Sequence, residues 1–184
     1  KVMEFSEDYK LFMDKGKTER EASDEIVRQA KANGYISFEK VMEKGEVKAG
    51  DKIYAENKGK GVVLFSIGSK GLDQGMKIIG SHLDAPRLDL KANPLYEDGG
   101  IGMLKTHYYG GVKKYQWVAI PLALHGVLFK KNGEKVEIVI GEDDTDPVLY
   151  ITDLLPHLAK DQMDKKMGEG ITGEGLNVII GSIP

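Results

Sequence analysis

Hydrophobic positions in the first part of this chain recur at helical spacing. Phe5, Tyr9, Phe12 and Met13 share one face around Ser6, and Gly16 ends the pattern, which predicts a short first helix. Thr18-Glu19-Arg20-Glu21 then has the Thr-x-x-Glu spacing of a capping box, and Asn33-Gly34 supplies a left-handed stop. The stretch between them reads as a second helix, with Ala22, Ile26, Val27 and Ala30 on its apolar face. From Asp51 the period changes. Residues 52–57, 61–67 and 76–80 are short β-branched or apolar runs bounded by Gly, Lys and Asn, the signature of strands. The last of them runs straight into Ser81-His82-Leu83-Asp84.

After about residue 93 the character shifts. Gly99, Gly100, Gly102, Gly110 and Gly111 interrupt the sequence before an apolar run at residues 117–129, and a domain boundary is expected at Asn93-Pro94, dividing the chain into 1–93 and 94–184. Two strand-like arms flank Asn132-Gly133, a pair that tolerates positive φ at both turn positions, so a hairpin is expected there. Residues 149–159 read as helical, 163–174 as a polar loop and 176–180 as a strand. No internal repeat or low-complexity segment is present.

Composition narrows the function classes. The 184 residues are 41% hydrophobic, enough to bury a core of ordinary size. A net charge of −3 arises from 29 acidic and 26 basic residues scattered along the chain, so neither a nucleic acid nor an anionic membrane is an expected partner, and a peptide or small molecule is. With no cysteine there is neither a disulfide framework nor thiolate-bound zinc, as fits a reducing cytoplasm. The first ten residues mix charge with apolar side chains unlike a signal peptide. The chain starts at Lys1 and stops just after an apolar run, so both ends read as cut.

The most informative spot is His82-Leu83-Asp84, because it stands where an apolar run ends and ligands gather at the carboxyl ends of strands in α/β sheets. Neutral imidazole is a good zinc ligand, and a carboxylate two residues on can reach its other nitrogen, fixing the tautomer. A hydrogen-bonded structural histidine at a strand end would read the same way. Glu142-Asp143-Asp144-Thr145-Asp146 lacks the alternating ligands and turn glycine of a calcium loop and reads as a solvated turn. His125 lies in an apolar run and reads as a satisfied core or interface histidine, whereas His107 beside Tyr108-Tyr109 could line a pocket. No serine or cysteine nucleophile motif and no dinucleotide fingerprint is present.

Ile78-Ile79-Gly80-Ser81-His82-Leu83-Asp84-Ala85-Pro86-Arg87-Leu88-Asp89-Leu90-Lys91 resembles the first metal-binding segment of the aspartyl aminopeptidase and vacuolar aminopeptidase I family of zinc metallopeptidases. Tyr109-Gly110-Gly111 with Trp117 resembles the opening of that family's inserted dimerisation domain, and Leu155-Pro156-His157-Leu158-Ala159 its Pro-His-Leu-Ala stretch. The likeness runs in order from about Tyr9 to Pro184, so three moderately specific motifs act as one signal. Two positions depart from it. Ile120-Pro121-Leu122-Ala123 stands where many relatives have Asp-Arg-Asp-Leu, and Asp161 where some carry a second histidine.

The resemblance implies an α/β fold: the N-terminal part of a two-zinc aminopeptidase domain, then the start of an inserted β-rich dimerisation domain. It implies release of N-terminal amino acids from peptides, with two zinc ions about 3.5 to 4 Å apart, replaceable by cobalt or manganese, activating a bridging water. His82 would hold one metal and Asp84 would be the catalytic carboxylate orienting it. His157 is the family's further histidine, either a metal ligand or a contact to the neighbouring subunit's substrate pocket; a structural histidine ending a helix is the other reading. The remaining ligands and the general base would lie beyond Pro184. Self-association to dimers, and to a larger closed shell, is implied as well. Preference for acidic or neutral N-terminal residues stays open, with Arg87 and Lys91 a weak hint of an acid-binding pocket. A silent assembly or peptide-binding module on the same scaffold is the competing class.

Overall fold

The computed structural model describes residues 1–182, which fall into two compact units, Lys1–Ala85 and Pro86 onward. The first unit opens with helices α1 (Val2–Lys15) and α2 (Glu19–Ala32). The capping box forms as expected. The Thr18 hydroxyl accepts the Glu21 N–H at 3.3 Å, while the Glu21 carboxylate accepts the Thr18 N–H at 2.8 Å, so orphan donors of the first turn are satisfied in both directions. At the other end Gly34, with φ +81°, turns the chain away. Ala22, Val27 and Ala30 are buried and Ile26 is half-buried. On α1 only Phe12 of the expected face is half-buried, while Phe5, Tyr9 and Met13 are exposed.

A three-stranded sheet in the order β1-β2-β3 packs with α2, and α1 lies against α2. Strand β1 (Ile36–Ser37) runs parallel to β2 (Lys52–Glu56), and β2 pairs antiparallel with β3 (Val62–Ser66), close to the expected bounds. Between β1 and β2 lies a helix the sequence reading passed over, α3 (Phe38–Lys44). Ser37 caps it by accepting the Lys40 N–H, and Gly45 ends it in the left-handed region; Val41 is its buried residue. The β2–β3 turn places Lys58 at φ +54° beside Gly59 at +65°, and Arg20 from α2 donates to the Lys58 carbonyl at 3.1 Å, tying helix to hairpin.

Residues 76–80 correct the sequence reading. They form no strand, and Ile78 and Ile79 are 81% and 98% exposed. The apolar character is right, but a strand exists only through a neighbour, and the sheet of this unit contains β1, β2 and β3 alone among the described residues.

In the second unit the longest ladder is β4 (Arg87–Asp98) with β5 (Ile101–Tyr109), joined at Gly99-Gly100, whose φ values of +60° and +80° account for the glycine pair. Asn93-Pro94 lies inside β4, at the register shift between Leu90 and Leu95. Proline lacks the N–H a regular ladder needs, so an irregularity is the expected place for it. β8 (Val178–Gly181) pairs with the other edge of β5, matching the expected strand. Leu149, Ile151, Leu176 and Val178 form the buried cluster, with Leu88, Leu104, Trp117 and Leu122 packed against it.

The hairpin β6 (Leu124–Phe129) and β7 (Lys135–Ile140) is present, with a different turn. The Lys130 N–H donates to the Glu134 carbonyl and the Gly133 N–H to the Lys130 carbonyl, leaving a three-residue loop in which Gly133 alone has positive φ, at +84°. This is the turn-plus-bulge connection, one residue longer than a two-residue Asn-Gly turn. Residues 149–159 are not helical. Leu149 and Ile151 are buried while Tyr150 between them is exposed, a period of two, and isolated bridges join Leu149 to Leu122 and Tyr150 to Ile179. Pro156 further disfavours helix at Leu155. Among the described residues α-helices follow at α4 (Lys160–Met163), ahead of the stretch read as loop, and at α5 (Met167–Gly170), within it.

Glu25 on α2 is buried and gripped by Arg28 through two hydrogen bonds of 2.6 Å, with Gln29 donating a third at 3.0 Å. The Arg28 hydrogen bond chiefly holds its carboxyl at about 2, below the ordinary 4.5, against the opposing effect of burial. A depressed folded-state value stabilises the fold above pH 4.5, and the contribution fades as pH falls from 4.5 toward 2. Glu25→Gln is therefore expected to lower the thermal midpoint at pH 7, with the gap to the parent closing toward pH 2; a gap constant with pH would contradict this. Thr18→Ala should cost about 1 kcal/mol in urea unfolding through the lost cap.

Candidate metal centre

His82 stands at the end of the first unit, on irregular backbone. Its Nδ1 lies 2.8 Å from the main-chain oxygen of Asp84 and 3.2 Å from that residue's Oδ1. Both neighbours are acceptors, so the proton belongs on Nδ1 and the Nε2 lone pair is left for a ligand. The imidazole is 82% exposed and the Asp84 side chain 39%. Neutral imidazole with one nitrogen donating to oxygen is the form in which histidine binds zinc, and the donor type therefore fits. Among the described residues no group of three or more His, Cys, Asp or Glu stands together in a way that could hold a metal ion. His82 is thus a single prepared donor.

His157 belongs to the second unit. It is exposed in the turn where the Leu158 N–H donates to the Leu155 carbonyl, and it precedes α4 rather than ending a helix. Buried Ala159, two residues on, anchors the turn. The other histidines have local partners. His125 Nε2 is 2.9 Å from the Glu142 carboxylate with its side chain 12% exposed, the satisfied histidine the sequence suggested, and His107 stacks on Tyr108 at 5.7 Å between ring centroids.

Arg87 donates from Nε to Asp89 at 2.7 Å and lies 4.2 Å from the centre of the Tyr109 ring; Lys91 pairs with Glu174 at 2.8 Å, which lowers the Glu174 carboxyl below its ordinary range. Neither cation is idle, which weakens the hint of an acid-binding pocket. In the acidic loop, Asp146 accepts the Gly141 N–H and Asp143 accepts the Thr145 N–H, both at 2.8 Å, so these carboxylates build the turn.

The α/β architecture carries at His82 a donor of the type zinc takes, and comparison with known proteins is specific. Residues 12–181 match the aminopeptidase I zinc metalloprotease family, M18. A probable M18 family aminopeptidase 1 of Clostridium acetobutylicum is 53% identical over all of this chain and 40% of its own length. The crystal structure of an M18-family aminopeptidase from Thermotoga maritima superposes with a TM-score of 0.90 at 45% identity, over 100% of this chain and 39% of that one. At 21% identity, the mApe1 dodecamer of S. cerevisiae shares the fold, with a TM-score of 0.70 over 96% of this chain and 38% of that one. The chain belongs to the aminopeptidase I zinc metalloprotease family. It spans about 40% of the length of the curated relatives it matches.

The hydrogen bond from Nδ1 gives a prediction for the metal-free chain. Nitrogen-15 shifts of the neutral His82 imidazole should report the proton on Nδ1 and a bare Nε2. The same tautomer should persist in Asp84→Asn, because the shorter contact is to the main chain. The opposite tautomer would contradict the geometry.

Proposed function

We propose that this chain is the N-terminal part of a longer zinc-dependent aminopeptidase that removes N-terminal amino acids from peptides. The observation that carries the reading is His82, with Nδ1 turned to Asp84 and Nε2 directed outward, in a chain of the zinc metalloprotease family. Two zinc ions, or cobalt or manganese in their place, would supply a nucleophilic water and polarise the scissile carbonyl. His82 contributes one metal ligand. Asp84 fixes the imidazole by accepting a hydrogen bond from its Nδ1–H. The general base and the other ligands come from outside this chain in this reading.

The inserted β-rich dimerisation domain opens near residue 94, in β4. Its assembly is supported by the exposed apolar positions Leu128, Phe129 and Val139 on the β6–β7 hairpin, since a lone hairpin is only marginally stable. The dodecamer formed by a relative of the same fold supports a larger shell. His157 then serves as metal ligand or as a contact to the neighbouring subunit's substrate. No helix among the described residues is long and apolar enough to cross a membrane, and the reading places the protein in the cytoplasm.

In the full-length protein His82→Ala should lose zinc and most of kcat, and Asp84→Asn, which keeps the tautomer but removes the carboxylate charge behind the imidazole, should lower activity at least about tenfold. Near-normal turnover in either variant would defeat the assignment. The 184-residue chain alone should show no metal-dependent turnover of aminoacyl anilides. His157→Ala separates its two roles: zinc content falls if it is a ligand, whereas turnover falls with zinc intact if it reaches substrate across subunits. A full-length protein without zinc or turnover would favour the silent assembly module.

A further inference from the structure

We propose that Arg87 is a positioning residue of the peptidase reaction, holding the root of β4 from which the chain leads back through Pro86 and Ala85 to Asp84. The inference rests on the aminopeptidase reading above. Arg87 and Tyr109 are directly opposite in the first rung of the β4–β5 ladder, and Asp89 lies two residues along β4 on the same face. Three side chains are thereby locked together: the guanidinium lies 4.2 Å from the centre of the Tyr109 ring while its Nε donates to the Asp89 carboxylate at 2.7 Å. The Arg87 side chain is only 28% exposed, so the assembly is partly sheltered from water. One residue beyond Tyr109, Gly110 has φ +76°, and a methyl added there would stand 3.5 Å from the Pro86 α-carbon. Residue 87 is thus held by Tyr109, and the backbone at Gly110 runs close beside Pro86.

The end of a ladder is where strands fray, because the terminal rung has neighbours on one side only. An arginine suits this place better than lysine: its planar cation stacks on a ring and meets a carboxylate at once, whereas an ammonium offers a point charge without a face. A frayed first rung would free the chain up to Asp84, and catalytic groups tolerate little displacement, about 1 Å costing on the order of a hundredfold in rate. With the Tyr109 ring and the Asp89 carboxylate among its partners, its part is to hold backbone and not to bind the substrate.

Hydrogen exchange and kinetics of the full-length protein test this, using Arg87→Gln, Arg87→Lys, Tyr109→Leu and Tyr109→Phe. Arg87→Gln and Tyr109→Leu should raise exchange at the amides of residues 82–88 about tenfold or more, leaving the β6–β7 hairpin unchanged. They should lower kcat about tenfold with KM within about twofold, while Arg87→Lys falls between and Tyr109→Phe, which keeps the ring face, falls by less than Tyr109→Leu. Unchanged exchange in Arg87→Gln would overturn the proposal, as would a raised KM with unchanged kcat, which would make Arg87 a substrate contact. Should Arg87→Gln fail to fold, the Tyr109→Leu and Arg87→Lys pair decides by the same readings. A parent protein without peptidase activity would remove the functional reading, and the exchange data would still judge the clamp.

Discussion

Strand β5 is paired on both edges, and the second unit depends on that pairing. On one side it carries β4, and on the other β8, which brings Val178 and the preceding Leu176 into the interior. The buried Thr106 hydroxyl of β5 donates to the Leu176 carbonyl, so a polar group that would be costly to bury alone satisfies the chain just before β8. The Tyr150–Ile179 bridge then adds residues 149–151, and Leu149, Ile151, Leu176 and Val178 close into one cluster. Burying side chains of this size stabilises by roughly 1.5 to 3 kcal/mol each, so four of them outweigh any single hydrogen bond in the unit.

The first unit is organised differently. Its core is the face of α2 with Val41 and Ile53, and its fixed point is local: the reciprocal cap at Thr18 and Glu21 sets where α2 begins, and therefore which residues face inward. Arg20 and the Glu25–Arg28 pair use the flanks of the same helix, one to reach the β2–β3 turn, the other to bury a carboxylate without leaving it unpaired. Apolar side chains are then left without cover on α1, on β3 and at Ile78 and Ile79. Surface of that kind marks places where protein meets protein.

What the sequence disclosed follows from the range of each interaction. The capping box, the α2 face, the β2–β3 pair and the occurrence of the β6–β7 hairpin depend on residues near one another in the chain, and they read correctly; β8 reads correctly from its own apolar run, although its partner β5 is distant in sequence. Residues 76–80 and 149–159 depend on distant partners. The first lacks a neighbour to pair with, and the second is drawn into bridges with Leu122 and Ile179 that no local propensity announces. Asn132-Gly133 misled by one residue because Gly133 alone takes positive φ. Helix α3 was legible in principle, through Ser37 as cap and Gly45 as stop, but its seven residues bury only Val41 and leave no amphipathic stripe to notice.

The candidate centre divides along the same line. His82 and Asp84 are two residues apart, and the contact that prepares the imidazole runs to a main-chain oxygen, so it is written into a tripeptide and needs no distant group. Affinity for a metal is different in kind. One exposed imidazole competes with water on nearly equal terms, and strong binding arises only when several ligands are held at fixed positions before the ion arrives. A motif search therefore finds the prepared donor, because its preparation is local. It does not find the ligand set, because that set is a property of long-range folding. The clamp at Arg87 lies between these cases: Asp89 is two residues away and Tyr109 lies across a ladder. In the sequence it therefore reads only as a stray cation, and its role is defined by the strand that faces it.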